Sequence, residues 1–144
     1  MILRQAAPDD GTQLLLMIGD HAAFEHGVAT LSAWALKQVL QNPDPPVYLF
    51  VAESEKLVGY AALTFDYAIW HGARTGHLDC LFVTASHRGL GIGSRLLQLV
   101  TRAARDAGAT WLEWQTPRWN IDAAEFYLRN GADRLDKERF RLSL

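Results

Sequence analysis

Residues 78–108 constrain this chain more than any other stretch. A short apolar run, Leu78-Asp-Cys-Leu-Phe-Val83, leads to a glycine-rich bend, His87-Arg-Gly-Leu-Gly-Ile-Gly93. After the bend, Ile92, Leu96, Val100, Ala103 and Ala107 recur at steps of three or four, so the segment reads as an amphipathic helix, and Gly108 is its natural stop. The run before the bend has the continuous apolar character of a buried central strand. Glycines let a backbone turn sharply and approach a ligand closely. The first turn of a helix adds unpaired N–H groups and a partial positive charge. Together these make an anion cradle suited to a pyrophosphate, and Arg88 adds a permanent cation. The same spacing also serves an ordinary tight turn. No Gly-Lys-Ser/Thr follows, which excludes a Walker A loop. The glycine spacing departs from the Rossmann fingerprint, and no second parallel βαβ unit follows.

The remaining chain supplies the elements around that core. Ile2–Ala6 reads as a first strand and Pro8-Asp9-Asp10 as a helix start, with Thr12–His21 helical. Leu31–Gln41 reads as a second helix ending before Pro43, and Asn42-Pro-Asp-Pro-Pro46 as a rigid loop. Tyr48–Glu53 and Leu57–Phe65 flank the turn Ser54-Glu-Lys56 as a hairpin; 67–76 extends that strand or forms a loop. Trp111–Gln115 reads as a strand, Asn120 caps a helix running to about Asn130, and Arg139–Leu144 alternates as a final strand. The order β-α-α-β-β-β-α-β-α-β implies an α/β or α+β fold, with helices packed on a largely antiparallel sheet.

Bulk properties narrow the function. The 144 residues suit one domain, 1–144, with 49% hydrophobic and 21% charged residues. The net charge of -2 argues against nucleic-acid or anionic-membrane partners, which demand excess Lys and Arg. Cys80 is the one cysteine, so no intrachain disulfide forms, which suits a cytoplasmic protein. The N-terminus lacks a signal peptide's apolar run, and no stretch approaches the ~20 apolar residues of a membrane span.

Two motifs carry a family resemblance. Arg88-Gly-Leu-Gly-Ile-Gly93 resembles the Arg/Gln-x-x-Gly-x-Gly/Ala signature of the GCN5-related N-acetyltransferase (GNAT) superfamily. Trp119-Asn120-x-x-Ala123-x-x-Phe126-Tyr127-x-x-x-Gly131-Ala132 is similar to that family's Asn…Phe-Tyr…Gly-Ala segment, at the expected separation. Leu78–Val83 and Ala23-Phe24-Glu25-His26 also resemble segments of spermidine/spermine (diamine) acetyltransferase-like members. Asp79 stands where those have Glu, and Cys80 where they have Asp, which weakens the case for a polycationic acceptor.

The resemblance implies acetyl-CoA as donor and no metal. Backbone groups at Leu81 and Val83, with Phe82 between them, would hold the pantetheine arm like an added strand. Amides of Gly89, Leu90, Gly91, Ile92, Gly93 and Ser94, with Arg88, would take the pyrophosphate, and Asn120 would touch the arm. Tyr127 would be the general acid for the leaving thiolate, since a phenol is protonated at neutral pH. Asp79 would accept the amine's proton, directly or through water, with His77 as a competing base. Phe24, Glu25, Trp34 and Trp70 would line the acceptor pocket, with Glu25 on the ammonium and His26 nearby. A covalent Cys80 intermediate is the lesser alternative, because nothing nearby in sequence activates the thiol. The expected function is acetylation of a small-molecule amine by a homodimer. Protein acetylation at lysine or an N-terminus, and a non-catalytic acyl-CoA sensor, stand as alternatives.

Overall fold

A computed structural model describes residues Met1–Leu144. The apolar runs of the sequence become a five-stranded sheet in the order β1-β2-β3-β4-β5. These strands are β1 (Ile2–Gln5), β2 (Tyr48–Glu53), β3 (Leu57–Ala68), β4 (Ala73–Val83) and β5 (Leu112–Glu113). Every pairing is antiparallel except the last, in which β5 runs parallel to β4 at Gly76 and His77 alone. Four helices accompany them: α1 (Gly11–Phe24), α2 (Ala33–Gln41), α3 (Ile92–Asp106) and α4 (Ile121–Arg129). The mixed α/β class expected from the sequence is the one observed. The chain divides into two units, Met1–Trp114 and Gln115–Leu144.

Helices cover both faces of the sheet in the first unit, which explains the unbroken burial of Leu49 to Ala52 in β2 and of Leu57 to Leu63 in β3. On one face Leu14 and Met17 of α1 and Leu36 of α2 pack with Leu49, Val51, Tyr60, Ala62 and Phe82. On the other lies α3, and glycines let it close in. A Cβ added at Gly59 would stand 3.1 Å from Leu96 Cδ1, and one at Gly76 3.3 Å from Ala104 Cβ. Such contacts are tight enough that a larger residue must push the helix away.

One irregularity matters for the site. Ala62 pairs with Cys80, but Leu63 pairs with Leu78, which leaves Asp79 as an extra residue in β4. This is a β-bulge, and it reverses the alternation of the strand. Leu78 and Cys80 therefore lie on opposite faces, although they stand two positions apart, a spacing that puts side chains on one face of a regular strand.

The structure revises three expectations. The ambiguous stretch 67–76 is hairpin: β3 and β4 run on to the pair Ala68 and Ala73. β5 is shorter than the expected Trp111–Gln115. The expected final strand at Arg139–Leu144 does not form, and Phe140, Leu142 and Leu144 are exposed. Alternation makes a strand only where a neighbouring edge supplies backbone partners and one face becomes buried. The order is thus β-α-α-β-β-β-α-β-α.

Candidate active site

Gly89 and Gly91 adopt φ of 76° and 77°, the left-handed region that disfavours other residues. A Cβ at either would meet nothing within 4 Å. Backbone conformation, not crowding, therefore demands glycine, and the space beside the bend is open. Gly91 is the residue before α3, and no side chain caps that helix. The first helical bond runs from Arg95 N–H to the Gly91 carbonyl (3.1 Å), so the amides of Ile92, Gly93 and Ser94 have no partner in the helix. Its first turn carries no carboxylate. Ile92 buries its side chain in the core and Leu90 is exposed.

The edge of β4 leads away from this bend. Thr84 N–H donates to the Val58 carbonyl (2.9 Å), so Thr84 faces Val58 in a hydrogen-bonded pair. Such pairs alternate along an antiparallel ladder. Phe82 and Cys80 therefore bond across to β3, while Leu81 and Val83 turn their N–H and C=O groups to the other side. β5 pairs with β4 only at Gly76 and His77, so no strand pairs there with Leu81 or Val83. The Val83 carbonyl accepts Arg88 Nε–H at 2.9 Å. The Arg88 guanidinium also lies 4.7 Å from the Phe24 ring centre and 5.4 Å from that of Phe82.

A polar file crosses the sheet close by. Asp79 is exposed at the bulge, and its Oδ2 is 3.6 Å from Cys80 Sγ. Cys80 packs against the buried cluster that contains Tyr60, whose hydroxyl is turned toward α1. That hydroxyl lies 2.7 Å from His21 Nδ1, and His21 Nε2 lies 2.6 Å from Glu25 Oε2. The imidazole stacks on Phe82, with ring centres 5.0 Å apart. Burial, with Asp79 adjacent, pushes the Cys80 thiol up to about 12, so it stays protonated and is a poor nucleophile. Burial likewise raises the Tyr60 phenol, which is 1% exposed.

The first unit thus gathers Glu25 and Asp79 at the two ends of this file, with Phe24 on Arg88. It does not gather every expected pocket residue. Trp34 stands exposed in the first turn of α2. Trp70 is exposed in the turn between β3 and β4, roughly 20 Å along the strand from Asp79 at about 3.3 Å per residue. His77 is half-buried, with Nδ1 3.3 Å from Thr64 Oγ1. The sequence reading missed His21 and Tyr60. Their only signal was polarity within apolar stretches, and their contact spans 39 residues.

The second unit holds the other motif. Asn120 caps α4 as expected, its Oδ1 accepting Ala123 N–H at 3.2 Å. Tyr127 is half-buried, with its ring 5.3 Å from that of Phe126. The Tyr127 carbonyl accepts Ala132 N–H (3.1 Å), and Gly131 takes a φ of 90° to close the helix. No group of three His, Cys, Asp or Glu side chains is placed to hold a metal ion.

Comparison with known proteins gives a consistent picture. The model of the acetyltransferase (GNAT) family matches residues 13–132. The chain is 36% identical over 137 residues to an aminoalkylphosphonate N-acetyltransferase of Salmonella typhimurium, covering 90% of this chain and 82% of the relative. It is 29% identical over 143 residues to a thialysine N-epsilon-acetyltransferase of Sus scrofa, covering 92% and 84%. A solved aminoglycoside acetyltransferase from an uncultured soil metagenomic sample, in complex with sisomicin, shares the fold. Its TM-score is 0.83 at 19% identity, covering 99% of this chain and 95% of that one.

Proposed function

The chain belongs to the GNAT acetyltransferase family, and from that premise we propose that it transfers acetyl from acetyl-CoA to the primary amine of a small molecule by direct attack. The observation that carries this reading is the uncapped start of α3 at Gly91, together with an edge of β4 at Leu81 and Val83 that no strand covers, where only the Val83 carbonyl is engaged, by Arg88. That arrangement fits the donor at both ends. The diphosphate is received by amides from Gly89 to Ser94 with help from Arg88, and the pantetheine amides by Leu81 and Val83. Asn120 contributes to the arm while it caps α4. The family match runs through both units, which supports a single acetyltransferase domain.

For the chemistry, Asp79 takes the proton from the incoming ammonium, since only the free amine has a lone pair. Tyr127 supplies a proton to the departing thiolate. Glu25 and Phe24 form the acceptor side, with the Glu25 carboxylate on an ammonium. Two relatives are named for thialysine and aminoalkylphosphonate, each of which carries a primary amine. Both support a small amine, not a protein, as acceptor.

The test is thiol release from acetyl-CoA with a panel of thialysine, aminoethylphosphonate and spermidine. Release with at least one is expected. CoA binding without release for any amine would convert the protein into an acyl-CoA sensor. Tyr127→Phe is expected to lower kcat about a hundredfold with little change in acetyl-CoA affinity; wild-type turnover would remove Tyr127 from the mechanism.

A further inference from the structure

We infer that His21, keyed by the buried hydroxyl of Tyr60, is the positioning residue that fixes the Glu25 carboxylate at the rim of the site, where it anchors an amino group of the acceptor other than the one that reacts. The inference rests on the acetyl-transfer reading above. It adds the device that sets the acceptor side and the kind of acceptor that fits it.

Glu25 is not fixed by its own place in the chain. It is the residue just beyond the last turn of α1, at φ -90° and ψ 18°, and His26 after it takes a φ of 63° as the chain leaves the helix. Its side chain is 36% exposed. A long side chain in such a place keeps its rotamer freedom unless a neighbour holds it. His21, one turn earlier, is that neighbour: its Nε2 lies 2.6 Å from Glu25 Oε2. A carboxylate only accepts, so Nε2–H is the donor. Oε2 is taken by this bond, which leaves Oε1 for the acceptor.

His21 is itself held on three sides. Besides Glu25 at Nε2, the Tyr60 hydroxyl lies 2.7 Å from Nδ1, and the face of the ring stacks on Phe82 with centres 5.0 Å apart and planes 22° apart. In the neutral ring with its hydrogen on Nε2, Nδ1 carries a lone pair and the phenol donates to it. Tyr60 is 1% exposed, and burial raises its phenol, so that hydrogen is always there to give. Flipping the imidazole would put carbons where the nitrogens are and forfeit both bonds. Position is thus passed from the core of the sheet at Tyr60, through His21, to a carboxylate at the rim. Support of this kind is what holds a binding group in its productive geometry.

The chemistry of the acceptor follows. A nitrogen held by a carboxylate as an ammonium has no lone pair, so the group on Glu25 is not the nucleophile. The acceptor that fits therefore carries two amino groups. One stays an ammonium on Glu25, in a charge-assisted hydrogen bond, while the other loses its proton to Asp79 and attacks. A carboxylate fixed in advance spares the cost of ordering it on binding.

The experiment uses the same panel, in which spermidine and thialysine carry a second amino group and aminoethylphosphonate does not. Wild type, His21→Leu, His21→Gln, Tyr60→Phe, Glu25→Gln and the double variant His21→Leu/Glu25→Gln are compared in KM and kcat, with folding followed by circular dichroism. His21→Leu, which keeps bulk against Phe82 but has no donor, is expected to raise KM for spermidine or thialysine about tenfold, with kcat and KM for acetyl-CoA changed less than about twofold. His21→Gln, whose amide N–H reaches as far as Nε2, should recover most of that loss. In the Glu25→Gln background, His21→Leu should have no further effect, because it acts through Glu25. Should His21→Leu fail to fold, Tyr60→Phe decides: it keeps the ring in the core, and KM for the same acceptors should rise about threefold. Folded variants with the wild-type KM overturn the inference. So do losses that persist without the Glu25 carboxylate or fall equally on aminoethylphosphonate. A wild type that prefers aminoethylphosphonate overturns this inference and leaves acetyl transfer standing. Thiol release with no amine at all overturns the transferase reading and this inference with it.

Discussion

The starts of α3 and α4 face the same problem and solve it in opposite ways. Each helix begins with amides that have no partner within the helix. At α4 the Asn120 side chain takes Ala123 N–H, and Asp122 stands in the first turn against the partial positive charge. At α3 there is neither cap nor carboxylate, only Gly91 in the left-handed region. Ser32 closes α2 as Asn120 closes α4, by accepting Ala35 N–H at 3.0 Å. α2 and α4 close their starts with a side chain, whereas the glycine bend leaves the first amides of α3 open, as the anion site proposed there requires.

Gly91→Val should break this contrast most severely. A β-branched residue is strained at that φ, and the three amides would be turned off target. Acetyl-CoA affinity is expected to fall about a hundredfold or more in calorimetry, roughly 3 kcal/mol, while the protein stays folded. A folded variant with unchanged affinity would end the donor-site assignment.

The turn ahead of α1 is another closed start, and it should respond in stability. Asp10 accepts Ala7 N–H at 2.7 Å and binds Arg4, which also holds Glu53. The hydrogen bond from Arg4 holds the Asp10 carboxyl below its usual range. Its stabilisation is therefore complete above ordinary carboxylate titration, near pH 4, and is lost as pH falls through the depressed folded value. Asp10→Asn should cost about 1–3 kcal/mol in urea melts at neutral pH. The variant's stability should also decline less than wild type's on acidification. Parallel pH curves would show that the pair does not act this way.

Smaller effects sharpen the same comparison. Asn120→Ala should destabilise by about 1 kcal/mol, and Asn120→Asp should retain most of the cap. Ser94→Asp, which places a carboxylate in the third helical position of α3, should raise stability by about 0.3–1 kcal/mol. Its cost should appear as severalfold weaker acetyl-CoA binding. A variant both more stable and equally tight in binding would mean that the open start is not the anion site.

What the sequence disclosed and withheld follows from range. The strand, bend and helix around Arg88–Gly93 were legible because all their determinants lie within some thirty residues, in periodicity and glycine placement. The caps at Asn120 and Gly131 were legible for the same reason. The extended hairpin through 67–76 was ambiguous because its outer residues are mostly exposed and carry no burial pattern. Arg139–Leu144 alternates like a strand, but alternation cannot say whether an edge is waiting. His21 and Tyr60 were invisible as partners because nothing local joins a helix residue to one 39 positions later. The bulge left no trace, since its one extra residue, Asp79, looks like any strand position.

That extra residue is one the sheet could lose. Leu78 faces Leu63 and Cys80 faces Ala62, which are neighbours on β3, so the two already stand as consecutive residues of a regular ladder would. Deleting Asp79 would close the bulge, with Phe82 still stacked on His21 and Leu81 and Val83 still turned away from β3. What the deletion takes away is a carboxyl group and the local kink that presents it. The position therefore belongs to the chemistry of the edge and not to the framework that carries it.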